Sequence, residues 1–337
     1  MKILMTSVFF HPHIGGIETV TEYLADEFTR LGHSVIVVTN TKESGEKKFQ
    51  YKVLRRPNPI ALFKAYIWCD VFVHQGISLK WVWPWLLIKK PWFIVYHQAY
   101  PYNKDIKGRI KSYFSKVANN IAVSNVVYNG HALKDGMVIH NSYDAKIFRK
   151  VNFEKRKGIV YVGKLFKSKG IFLLIDAYVE YKSRTGSTET LTIIGDGTDR
   201  EEFINYVNST KYSSDIILLG FRSPQEICDI LNQSKLQIVP SLDVEAFGLV
   251  VLEGLACGCF VIGSDGNGIE EALNNCGMTF KRGDKHDLAN KIIDYYNLSD
   301  VEKKTFTLKV SNHLNNLSLE KVANNYISYF SKYVKSR

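Results

Sequence analysis

The sequence predicts an α/β protein built from two doubly wound parallel sheets. Three observations carry that expectation. Short apolar, β-branched runs alternate with longer stretches of helical period. The alternation lapses near residues 145–157 and then begins again. At 337 residues the chain is also longer than one hydrophobic core usually supports.

The first strand is KILMTSVFF. A loop, HPHIGG, leads into IETVTEYLADEFTRLG, whose apolar residues recur at helical spacing and whose Gly32 stops the helix. SVIVVTN is apolar on both faces, as a strand between two helical layers should be. DVFVHQG, PWFIVYHQ and NNIAVSN repeat the theme. A basic stretch without strand character, AKIFRKVNFEKRK, separates this half from the next. Then come strand KGIVYVGKL, helix KGIFLLIDAYVEYKSR, strand TLTIIGDG, helix DREEFINYVNS and strand DIILLG. Helix PQEICDILNQS, strand KLQIVPS, a helix within EAFGLVVLEGLACG and strand CFVIGSD complete the second unit. LEKVANNYISYFSKYV is a last helix with an aromatic stripe. The expected domains are 1–147 and 148–317, with the helix at about 318–337 packing back on the first. Open sheets of this kind bind ligands at the carboxyl ends of their strands, so the two domains are expected to face a shared cleft.

Composition is that of a globular protein, 45% hydrophobic and 23% charged, with no apolar run of membrane-spanning length. MKILMTSVFF lacks the features of a signal peptide and is read as a buried strand. The five cysteines form no C-x-x-C pair and have no histidine at ligand spacing, which suggests reduced core thiols in a cytosolic protein and no metal.

The net charge of +11 is uneven. Residues 80–116 hold eight basic side chains and one acid, Asp105. Such a patch suits anions: lipid headgroups, phosphates or nucleic acid. No nucleic-acid motif is recognisable, so nucleic acid is not an expected partner. All five tryptophans fall between Trp68 and Trp92, and KWVWPWLLIKKPW mixes them with lysines. NKDIKGRIKSYFSKV places Ile106, Ile110, Tyr113, Phe114 and Val117 on one helical face, flanked by lysines. A basic amphipathic helix beside aromatic residues fits a protein lying on an anionic membrane. An ordinary core helix with a solvated charged face is the alternative. On the first reading Trp81, Trp83, Trp85, Lys104, Lys107 and Lys111 form a membrane or acceptor surface. The protein is then cytoplasmic and peripheral on the inner face of the cell membrane.

One stretch carries chemistry. EAFGLVVLE, residues 245–253, puts glutamates at both ends of an apolar run. Glu245 should lie just before a helix start, where the amides of Phe247, Gly248 and Leu249 lack partners and make an anion site. Glu253 should lie within the helix. A carboxylate there needs donors, which two vicinal hydroxyls of a ribose would supply.

These glutamates, with Phe-Gly after the first, resemble the signature of retaining GT-B glycosyltransferases of family 4. The resemblance runs nearly end to end. HPHIGGIE is similar to that family's first glycine loop, and VYHQ carries His97 where the family has an active-site histidine. AVSNVV, VIHNSYDAKIF, VGKLFKSKG and IIGDGTDREEF match further segments. Lys164 stands where the family usually has arginine, and Asn141-Ser142 where it has Asn-Gly. DGNGIEEAL keeps Gly268 and Glu271 but lacks the family's double glycine and its proline.

The resemblance implies the fold, two Rossmann-like domains, and an activity. A sugar, from a UDP-sugar on family frequency, passes with retention to a glycan or lipid-linked acceptor in bacterial cell-surface polysaccharide synthesis. It implies that Lys164 and Lys169 hold the diphosphate and stabilise its leaving charge. Glu245 would position the donor sugar, Glu253 would hold the ribose, and Gly195 and Gly197 would border the base. Gly15 and Gly16 would allow close backbone approach, and His97 would face sugar and phosphate. No D-x-D motif occurs, so neither a metal nor a resident cofactor is expected. A nucleotide-sugar epimerase or hydrolase on this architecture, or an inactive glycan- or nucleotide-binding module, are the other readings.

Overall fold

Two parallel sheets organise the chain in a computed structural model that describes residues 1–13, 15–42, 47–99, 105–151 and 155–334. The first sheet comprises β1 (Lys2–Ser7), β2 (Ser34–Thr39), β3 (Lys52–Arg55), β4 (Val71–Gln75), β5 (Trp92–Tyr96), β6 (Asn119–Ala122) and β7 (Met137–Val138). Their order is β3-β2-β1-β4-β5-β6-β7, with parallel pairing throughout the described residues. The second sheet comprises β8 (Ile159–Val162), β9 (Leu191–Ile194), β10 (Ile216–Gly220), β11 (Leu236–Val239), β12 (Phe260–Ser264) and β13 (Met278–Phe280). Its order, β10-β9-β8-β11-β12-β13, repeats that of the first six strands. In both sheets the order reverses beside the first strand, between β1 and β4 and between β8 and β11. Loops diverge at such a switch point and leave room for a ligand.

Helices cross between these strands. The amino-terminal ones are α1 (Gly16–Arg30), α2 (Pro59–Trp68), α3 (Trp83–Leu87), α4 (Ile106–Ser115) and α5 (Asn125–Gly130). Next follow α6 (Ile171–Thr185), α7 (Arg200–Asn208), α8 (Pro224–Gln233), α9 (Leu249–Ala256), α10 (Gly268–Leu273), α11 (Lys285–Asn297) and α12 (Asp300–Asn316). The last is α13 (Leu319–Val334). Local chemistry sets several starts. Asn58 accepts from the amide of Ala61 at 2.8 Å ahead of Pro59, and Asp105 accepts from Gly108 at 2.7 Å. Ser223 and Glu226 cap α8 reciprocally.

The chain divides into two compact units: Met1–Ser142 with Leu317–Arg337, and Tyr143–Asn316. In the first, β4 and β5 are buried along their whole lengths, as strands between two helical layers must be. Helix α1 buries Val20, Leu24, Ala25 and Phe28. Phe28 meets Tyr326 and Phe330 of α13 with ring centres 6.2 and 6.1 Å apart, so the aromatic stripe of the last helix is core. Arg30 ties the two helices through Glu27 at 2.7 Å and Glu320 at 2.8 Å.

In the second unit, Ile159, Tyr161, Leu174, Tyr178, Ile193, Phe203, Ile238 and Leu288 share one core. Residues 143–147, which the sequence pattern gave to the first domain, belong here. Phe148 is buried with Val160 and Leu231, and Tyr143 and Ile147 pack on that cluster. All five cysteines are free and buried. Among the described residues no helix is long and apolar enough to cross a membrane.

Candidate active site

In the second unit the loops after β8 and β11 meet at the switch point. Gly170 makes this possible. Its φ is 73°, and a Cβ there would lie 1.9 Å from the carbonyl oxygen of Pro240. The amides of Leu242 and Asp243 then donate to the carbonyl of Ser168 at 2.8 and 3.1 Å. This seam brings Lys169, from the first loop, to Glu245, from the second, as a half-buried ion pair. Ser241 also donates to Glu245 Oε1, at 2.5 Å. Glu245 is held from behind as well, since its carbonyl accepts from the amide of Gly268 at 2.9 Å.

Lys164 lies on the same loop as Lys169 but is exposed, and it makes no ion pair among the described residues. The hydroxyl of Tyr161 donates to its carbonyl at 2.9 Å. Burial and the neighbouring Glu245 push that hydroxyl's pKa upward, which keeps it a neutral donor.

Helix α9 starts after Gly248, whose φ of 93° turns the chain into it. The amides of Gly248 and Leu249 have no acceptor among the described residues, so the helix start offers two donors to an anion. Phe247 is buried. Glu253 sits one turn further on, half-buried, and its carboxylate has no hydrogen-bond or ionic partner among the described residues. Burial alone pushes it up to about 7. A carboxylate in that state favours any ligand that brings hydroxyl donors.

Gly195 and Gly197 follow β9. Their absent side chains let this loop lie against the loop after β8. A Cβ on Gly195 would fall 1.8 Å from the Gly163 carbonyl oxygen, and one on Gly197 2.4 Å from that of Leu165. Lys169, Glu245, Gly195 and Gly197 thus share one backbone framework. No group of three or more His, Cys, Asp or Glu with metal-ligand geometry occurs among the described residues.

The first unit has its own cavity, about 270 Å³, at the carboxyl ends of β1, β4 and β5. Ser7, Glu18, Gln75, His97, Lys111 and His131 are among its lining residues. His97 Nε2 lies 2.6 Å from Gln75 Oε1. Burial lowers its pKa to about 4, so the ring is neutral near pH 7. Gly15 and Gly16 are not in the lining, to which this segment contributes Ile17 and Glu18. Gly15 is extended, with φ −174°, and its missing Cβ leaves room for the Glu18 carboxylate. His74 is a core residue, packed edge-on against Phe72 and Trp92.

The basic aromatic segment needs correcting. Trp81 is 1% exposed and cannot touch a membrane or an acceptor. Trp83 stacks on Phe63 at 5.7 Å, and Trp85 packs on Trp92 at 5.0 Å, so both are partly withdrawn. The exposed apolar residues are Leu86, Leu87 and Ile88. On α4, Ile106, Ile110 and Tyr113 face outward, followed by Val117, while Phe114 turns inward to Trp85 and Trp92. Lys107 is exposed on that helix and Lys111 is half-buried; Lys104 lies outside the described residues. Sequence reading missed Ser241 and Gln75. Nothing in a local pattern marks a serine beside a glutamate four residues on, or a glutamine ending an apolar strand.

Residues 143–305, nearly the span of the second unit, match the model of the family described as Glycosyl transferases group 1. Over 90% of its length the chain is 28% identical to the uncharacterized glycosyltransferase MJ1178 of Methanocaldococcus jannaschii, covering 90% of that protein. Over 81% of its length it is 22% identical to the GPI3 subunit of the Saccharomyces cerevisiae phosphatidylinositol N-acetylglucosaminyltransferase, covering 70% of it. Among solved structures it is similar to Anabaena Alr3699/HepE in complex with UDP and glucose. The TM-score is 0.79 at 17% identity, over 98% of this chain and 100% of that one, and this likeness speaks for the fold.

Proposed function

The chain is a group 1 glycosyltransferase on the GT-B fold, and on that premise we propose that it moves a sugar from a UDP-sugar to a glycan or lipid-linked acceptor with retention of anomeric configuration. The observation that carries the reading is the switch-point cluster of the second unit: Lys169 paired with Glu245, and, among the described residues, Lys164 without an ionic partner and the Glu253 carboxylate without a hydrogen-bond or ionic partner.

The second unit takes the donor. Lys164, Lys169 and the free amides of Gly248 and Leu249 hold the diphosphate. They stabilise charge that grows as the C1–O bond to phosphate breaks. Glu245, already fixed by Ser241 and Lys169, accepts hydrogen bonds from the sugar's hydroxyls, and Glu253 accepts them from the ribose. The acceptor oxygen forms its bond to C1 on the same face, and its proton passes to the departing phosphate oxygen. These lysines and amides supply the countercharge, so no metal is required. UDP is favoured by the ligand of the Anabaena neighbour.

The first unit takes the acceptor. The exposed face of α4 and the Leu86–Ile88 corner, with their lysines, rest on an anionic membrane as a basic amphipathic surface does. A lipid-linked acceptor follows, used at the inner leaflet in cell-surface glycan assembly. The yeast relative's name, with its phosphatidylinositol acceptor, favours the same class.

The test is product analysis. The enzyme is incubated with single UDP-sugars and lipid-linked acceptors, without and with chelator, and the anomeric coupling of the product is read by NMR. Retention in the presence of chelator is expected. An inverted product, or free sugar whether or not acceptor is present, contradicts the reading.

A further inference from the structure

We propose that Gln75 is a positioning residue: it fixes the ring of His97 so that Nδ1 carries the lone pair with which His97 accepts a hydrogen bond from a substrate hydroxyl.

Gln75 is the last residue of β4, in register with Ser7 of β1 and Val95 of β5. It is 3% exposed, a position where an apolar side chain is the cheaper choice. Its Oε1 lies 2.6 Å from His97 Nε2, and its amide nitrogen has no hydrogen-bond partner among the described residues. Among the described residues, the contact with His97 is therefore the one side-chain hydrogen bond that accounts for an amide buried here. A neutral imidazole has one N–H and one lone pair. An amide oxygen can only accept, so the proton sits on Nε2 and the lone pair on Nδ1. Nδ1 has no hydrogen-bond partner among the described residues. Both side chains line the same cavity, whose other titratable groups are Glu18, Tyr96, Lys111 and His131.

This narrows what His97 can do. A neutral ring with its N–H already committed cannot donate to a phosphate. It can accept from a hydroxyl, so its partner is a sugar or acceptor O–H. Naming that partner rests on the glycosyltransferase reading; the tautomer does not.

The experiment has two arms on the full-length protein. Nitrogen-15 long-range NMR reads the His97 tautomer, assigned by its loss in His97→Asn. The Nε2-protonated neutral form is expected from pH 6 to 8, and Gln75→Leu should give a mixture. Gln75→Glu should restore the tautomer and, by placing a carboxylate on Nε2–H, raise the pH at which the ring protonates. In turnover, Gln75→Leu should lower kcat about ten- to a hundredfold with KM little changed. Gln75→Glu should recover kcat and move the acid limb upward. A proton on Nδ1 in the wild type, or an unchanged tautomer in folded Gln75→Leu, overturns the proposal. If Gln75→Leu does not fold, Gln75→Glu with an unmoved protonation midpoint does the same. If the tautomer behaves as expected but no sugar is transferred, the glycosyltransferase reading fails and the positioning role stands.

Discussion

The two units share a strand order and differ in what they place at its reversal. After β8 and β11 the second unit gathers charge: a lysine–glutamate pair, a lysine without an ionic partner among the described residues, and a carboxylate kept from ionising easily by burial. After β4 and β5 the first unit places a neutral histidine and a glutamine, in a cavity that Glu18 and Lys111 also line, with no ion pair between those two among the described residues. On the proposed function, the same topology would serve a diphosphate in one unit and hydroxyl groups in the other. The sheet positions loops; the loop residues choose the ligand.

The largest expected effect separates fold from surface inside the first unit. Trp81→Ala should cost about 3–5 kcal/mol of stability, as truncation of a buried aromatic does, whereas Leu87→Ser should change it by no more than about 0.5 kcal/mol. Chemical denaturation reads both. Equal effects would mean that the tryptophan segment is surface after all.

The next test asks whether charge in the second unit carries the chemistry. Lys169→Ala should lower kcat about 10²–10³-fold, the scale for losing one group that stabilises a leaving anion. Stability should change by about 0–1 kcal/mol, because the pair with Glu245 is only half-buried. A larger kcat loss in His97→Asn than in Lys169→Ala would reverse the division of labour between the units.

Glu253 gives a smaller, pH-dependent effect. Its pKa is raised from 4.5 to about 7 by burial. The folded state therefore holds a proton that the unfolded chain releases, and ionisation costs stability as pH rises. The cost is absent below about pH 4.5 and complete above about pH 7. Glu253→Gln should accordingly be more stable than wild type at pH 8, by about 1–3 kcal/mol, and equal to it at pH 4. Thermal melts at the two pH values decide this. An advantage of the same size at both would mean that the carboxylate is not strained by burial.

These contrasts were unevenly legible in the sequence. Alternation of VFVHQ, WFIVY and LQIV with helical stretches was enough for the two sheets, because buried parallel strands are apolar on both faces. Glu245 and Glu253 stood out because acids are rare in an apolar run. Gln75 did not, since a strand-ending glutamine carries no local sign of the histidine it meets at the end of the neighbouring β5. Trp81 was misplaced because Leu79–Trp81 is a tight turn and α3 is five residues long, so no helical period applies. The first domain's end was set too late because Phe148 anchors its segment in the second core, a long-range contact.

The smallest expected effect is at the membrane. Lys107→Gln and Lys111→Gln should each weaken binding to phosphatidylserine-containing vesicles by about 1 kcal/mol, or roughly fivefold. Sedimentation with vesicles reads it, and undiminished binding in the double variant would remove the membrane from the first unit's role.

The most direct test of the division between the units is UDP binding, measured by thermal shift and calorimetry. UDP has the ribose and the diphosphate of the donor but not the sugar to be transferred. At about a hundred times its Kd it should stabilise the wild type by about 2.7 kcal/mol. His97→Asn should bind it as the wild type does, while Lys169→Ala and Glu253→Leu should bind it much more weakly. No stabilisation of the wild type by UDP, or binding lost in His97→Asn and kept in the other two variants, would contradict the account.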